Sequence, residues 1–87
     1  MANLPLTERH PDDGAIELDA RAIPHRIRHA AVHGVVDSLT PGRSFVLVAP
    51  HDPKPLLAQV QQRHGDEIAV AYLERGPEAW RLQLTRR

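Results

Sequence analysis

The chain contains no cysteine and only three aromatic residues, one each of Phe, Tyr and Trp. Without a thiol there can be no disulfide framework, thiolate nucleophile or cysteine metal site, and nothing calls for an oxidising compartment. Three scattered aromatics provide no stacking platform for nucleic-acid bases. Net charge is missing as well. Eleven basic and eleven acidic side chains cancel, so no long-range field draws the chain to nucleic acid or anionic lipid. No apolar run approaches the length of a membrane span, and the opening "MANLPLTERHPDDG" is broken by proline and charge, unlike a signal peptide. The five glycines gather in no phosphate-cradling loop, and no Ser-His-Asp spacing or carboxylate pair stands out. These absences lead to the expectation of a cytoplasmic protein with neither a nucleic-acid nor a membrane partner.

What is present fits one small domain. Eighty-seven residues bury roughly 60–65% of their unfolded surface, enough for one core and a shallow site. Residues 1–14 are polar, contain proline and lack periodicity, and are expected to form a disordered lead-in to a single domain over 15–87. "AIELDA" (15–20) alternates as a strand with one wet face. Pro24 reads as the first residue of a helix. The stripe of Ile27, Ala31, Val32, Val35, Val36 and Leu39 carries that helix over 25–39, and "TPGR" ends it.

"SFVLVAP" (44–50) is nearly continuous in apolar residues, as a more buried strand requires. Asp52 sits where an N-cap belongs, with Pro53 at the first helical position. The helix that follows buries Leu56, Leu57 and Val60 and stops at His64-Gly65. "EIAVAYLE" (67–74) and "AWRLQLT" (79–85) alternate and are joined by the Gly-Pro turn of "RGPE", which predicts a hairpin. Trp80, Leu82 and Leu84 share its inward phase.

The order βαβαββ with right-handed crossovers predicts an α+β fold, a two-layer α/β sandwich. It has a four-stranded mixed sheet with two helices on one face, and the last strand is inserted antiparallel between the second and third. The other sheet face is expected to be partly open and lined by Glu17, Asp19, Arg81 and Gln83.

"ELDARAIP", "LTPGRSFVLVAPHDPKPLL" and "YLERGPEAWRLQLTR" together resemble domain of unknown function 2249, a TusA-related family. The resemblance runs from about residue 15 to the C-terminus, and "HDPKPLL" and "GPEAWRL" are its most specific pieces. It implies the same βαβαββ fold. It also implies hemerythrin-like or other metal- and redox-associated proteins as partners. TusA-type sulfur carriers begin their first helix with a Cys-Pro-x-Pro motif. The matching stretch here is "AIPHRIRH", and the place of the persulfide cysteine falls at or beside His25. Without that thiol the relay chemistry is lost while the fold carries over.

Two constellations stand out. In "PHDPKPLL" a helix start accounts for Asp52, Pro53 and Pro55, but it does not require His51. That histidine emerges at the C-terminal end of a parallel strand, the edge where ligands bind open α/β sheets. His25, His29 and His33 recur at i, i+4 and i+8, about 6 Å apart along the helix axis. One such pair, or His51 with His25 or His29, is a workable set for a divalent transition metal. Arg26 and Arg28 flank these histidines near the helix start, where a carboxylate or phosphate could be received.

The leading expectation is a non-catalytic binding or adaptor module that engages a protein partner or small ligand through His51, Asp52, Pro53, Pro55, His25 and Arg26. The alternative is a metal site, conceivably catalytic, using His51 with His25 or His29. The charged outward faces favour a monomer or weak dimer.

Overall fold

The computed structural model describes residues 16–87. The expected lead-in and its boundary with the domain lie outside the described residues. Six main elements follow one another: β1 (Ile16–Asp19), α1 (His25–Ser38), β2 (Ser44–Ala49), α2 (Lys54–His64), β3 (Ile68–Arg75) and β4 (Trp80–Arg86). They form one sheet in the order β1-β2-β4-β3. β1 and β2 run parallel, and β4 is antiparallel to both of its neighbours. The last strand is therefore inserted between the second and third, as the alternation predicts, and the chain is an α+β two-layer sandwich.

Register decides which side chains meet. Phe45 lies opposite Ile16 and Leu84, and Leu47 lies opposite Leu18 and Leu82. Phe45, Leu47, Leu82 and Leu84 are all buried, joined by Val32 and Val36 from α1 and Leu56 and Val60 from α2 in one core. Both helices thus cover the same face of the sheet. Full burial of a side chain such as Leu82 stabilises the fold by about 1.5–3 kcal/mol.

Val46 and Val48 point to the opposite face, opposite Gln83 and Arg81. There Arg81 pairs with Glu17 and approaches Glu74 at 3.9 Å, while Gln83 donates to the Ser44 hydroxyl. Val48 is only 1% exposed on this face. The long stems flanking it in register can shield it while their charged heads remain in water.

The helices run parallel and are joined along a polar seam. His33 Nε2 lies 2.9 Å from Gln59 Oε1. One turn further on, Asp37 receives Arg63 at 2.8 Å and His64 at 3.0 Å. Gly65 ends α2 with a positive φ of 58°, a conformation that suits glycine, and its N–H donates to Gln61 O. At the hairpin Gly76 also has positive φ, and its N–H donates to the Ala79 carbonyl at 2.9 Å; the Gly76-Pro77 peptide is cis.

Ile27 departs from the expected stripe and is 54% exposed. The inward row of α1 is 28-32-36, with Val32 and Val36 buried and Arg28 in the first turn. Ile27 begins the flanking row 27-31-35-39. Its partners further along, Val35 and Leu39, still pack on the core. Tyr72 and Trp80 pack on the core but are only half-buried; Tyr72 lies on the edge strand β3 and Trp80 is the first residue of β4.

Candidate functional site

Parallel β1 and β2 both finish at the same end of the sheet, and each passes directly into the approach to a helix. A cleft of about 280 Å³ opens between these two crossings. Its floor is apolar: Ala20 just beyond β1, Leu47 and Ala49 from β2, and Leu56 from α2. Pro50, Pro53 and Pro55 form a stiff wall where the chain turns into α2. His25, Arg28 and His29 come from the first turns of α1, and His51 from the β2–α2 loop.

The local sequence explains how each wall is held. Asp19 accepts from the Arg21 backbone N–H at 3.0 Å and from Arg21 Nε and Nη2 at 2.9 and 2.8 Å. This fixes the single 3₁₀ turn, Ala20–Ala22, that leads into α1. The side-chain hydrogen bond from Arg21 holds the Asp19 carboxyl below its usual range against the opposing effect of burial, with the Arg21 backbone N–H and the Arg21 and Arg81 charges adding to it. Arg28 reaches back from the helix and donates through Nε and Nη2 to the Ile23 carbonyl, at 3.3 and 2.9 Å.

The β2–α2 loop is anchored differently from the way its sequence suggests. Asp52 does not cap α2. The N-cap is Pro53, with no side-chain cap bond, the helix begins at Lys54, and Pro55 occupies its first turn. The Asp52 carboxylate instead accepts a 2.8 Å hydrogen bond from the Tyr72 hydroxyl on β3. Arg75 lies over the Tyr72 ring at 4.0 Å, and Trp80 meets the ring edge-on at 6.3 Å. The hydrogen bond to Asp52 raises the Tyr72 pKa above 10.0, and burial and the Asp52 charge reinforce it against the opposing charge of Arg75. In the same loop His51 Nδ1 lies 3.3 Å from the Asp52 carbonyl oxygen. When Nδ1 carries the proton it donates there, leaving Nε2 as an acceptor.

The structure thus gathers His25, His29, His51, Pro53 and Pro55 around one cleft. Two of the candidate residues fall elsewhere. Arg26 is exposed and off the cleft, two residues before Arg28, which lines it from a different face of the helix. Asp52 lies behind the His51 loop as its anchor. His33 belongs to the helix–helix seam, so the three helix histidines do not act as a set. Arg28 has a readable signal: it stands four residues before Val32 on the inward row, where an apolar residue would be expected. Tyr72 has none, because its partner is twenty positions away. Among the described residues, no group of three or more His, Asp or Glu side chains is arranged to hold a metal ion.

The arrangement is a shallow, apolar-floored cleft with a basic rim, built on a two-layer α+β domain. The chain belongs to the family described as Uncharacterized conserved protein (DUF2249), which matches residues 17–86. No curated protein and no solved structure matches it. Among the described residues no helix is long and apolar enough to cross a membrane.

Proposed function

We propose that this protein is a non-catalytic cytoplasmic binding module whose ligand or partner site is the cleft between the starts of α1 and α2. The carrying observation is the convergence of His25, Arg28, His29 and His51 from two separate elements on one apolar-floored recess. Such a concave site, with a few polar groups converging on it, is the usual form of a small-molecule site, and it lies at the carboxyl ends of the parallel strands. The lining includes no hydroxyl, thiol or carboxylate side chain, which favours binding over covalent catalysis by an oxygen or sulfur nucleophile.

A TusA-related ancestry fits the same geometry. His25, on the cleft, stands at or beside the place of the carriers' persulfide cysteine, so the position keeps a site while losing the relay. Hemerythrin-like or other redox-associated proteins are the partners this ancestry suggests.

The test is native mass spectrometry of untagged chain purified without chelator, run beside His51→Ala. The substitution is expected to remove a bound small molecule or metal while leaving stability within about 1 kcal/mol, because the side chain is exposed. A large loss of stability with the adduct retained would reverse the assignment.

A further inference from the structure

We propose that the cleft takes a small organic carboxylate: a compact apolar body seated on Leu47, Ala49 and Leu56, with its anionic head held by Arg28 and the histidines. This inference rests on the cleft being a ligand site and adds the chemistry of the ligand.

Charge is the first argument. Acidic and basic residues balance over the whole chain, yet every ionisable side chain lining the cleft is basic, and no carboxylate lines it. The second argument is Arg28. It is half-buried and presents a planar guanidinium suited to bidentate recognition of a carboxylate. Its Nε and Nη2 both go to one carbonyl oxygen, and among the described residues no carboxylate pairs with it. A half-buried guanidinium without a counter-charge is costly. A ligand carboxylate would supply that charge with strong, charge-assisted hydrogen bonds.

The floor selects the rest of the molecule. The prolines Pro50 and Pro55 expose apolar surface around a floor of Leu47, Ala49 and Leu56, so a ligand entering the recess must present apolar surface. A fully hydrated anion such as phosphate would gain little there. At about 280 Å³ the recess lies just below the range of about 300–1,000 Å³ typical for drug-sized ligands, which sets a limit of small size.

The experiment titrates the full chain by calorimetry with octanoate, octan-1-ol and inorganic phosphate. Amide NMR shifts locate each probe. Octanoate is expected to bind at least about tenfold more tightly than octan-1-ol, to shift residues 25–29 and 47–56, and to resist competition by phosphate. Arg28→Gln should remove the preference for octanoate over the alcohol. His29→Gln should reduce it if the first variant fails to fold.

Equal affinity for acid and alcohol at the cleft would overturn the carboxylate assignment and leave the binding-module reading standing. Phosphate binding as tightly as octanoate would overturn the apolar body. If no probe shifts a cleft amide, the carboxylate assignment falls, and the binding-module reading is decided separately by native mass spectrometry of the chelator-free chain.

Discussion

Removing the Tyr72 hydroxyl tests how the His51 loop is held. The hydroxyl donates to Asp52 Oδ1 at 2.8 Å across the gap between β3 and the β2–α2 loop. Hydrogen bonds to charged acceptors contribute about 1.5–3 kcal/mol, and this one is only half-buried. Tyr72→Phe keeps the ring that packs against Trp80 and Arg75, so the expected loss is about 1–2 kcal/mol, or a fall in Tm of roughly 5–10 °C for a domain of this size. Urea titration followed by far-UV circular dichroism reads it. Trp80 fluorescence would be confounded, since that ring contacts Tyr72 itself.

A double-mutant cycle with Asp52→Ala should give a coupling of about 1 kcal/mol. If Asp52 served chiefly as a helix cap, its removal would cost about 1 kcal/mol whatever stood at position 72, and Tyr72→Phe would cost almost nothing. A coupling below about 0.3 kcal/mol would refute the anchor. The pH dependence has a definite sign. The folded Tyr72 pKa lies above the ordinary 10.0, so its contribution is complete below pH 10 and lost as pH rises through the folded value. The stability gap between wild type and Tyr72→Phe should therefore close on the alkaline side.

Three further outcomes follow from the same geometry. Gly34→Ala should stabilise the chain by about 0.5–1 kcal/mol in urea unfolding, because the position is exposed within α1 and an added Cβ meets nothing within 4 Å. Gly76→Ala should destabilise it by at least about 1 kcal/mol, since φ is +60° and the new Cβ would lie 3.2 Å from Trp80 Nε1. The Asp19 carboxyl titrates below 3.8 in the folded chain, so its contribution is present above that pH and lost as pH falls through the folded value. Asp19→Asn should accordingly flatten the acid limb of the stability profile measured by circular dichroism.

Most of the architecture could be read from local pattern. Alternation in "WRLQLTR" put Leu82 and Leu84 inward, the continuous "SFVLVA" marked the central strand, and Gly65 and the Gly-Pro turn marked where the chain reverses. These signals are carried by residues a few positions apart. What escaped depends on partners distant in sequence. Asp-Pro before an apolar run reads as a cap, and only the folded sheet shows that Tyr72 captures Asp52 from the side. Of the arginines flanking the histidines, Arg26 stands nearer the helix start, but the helix rotation set by Val32 and Val36 turns Arg28 toward the cleft. His25, His29 and His51 could each be picked out from spacing or strand-end position; their shared recess required the two crossings to be placed side by side.

Because the chain has no cysteine, a single one can be placed at will. The measurement closest to the central claim installs it at Pro55, on the cleft rim, or at Asp66, exposed in the turn after α2 at the opposite end of the sheet. Each variant is labelled with a bulky maleimide and returned to native mass spectrometry with the untagged, chelator-free protein as reference. The account predicts a bound small molecule on the unlabelled chain that is lost when position 55 is blocked and kept when position 66 is. An adduct that survives the label at 55, or a bare polypeptide mass on every form, would contradict it.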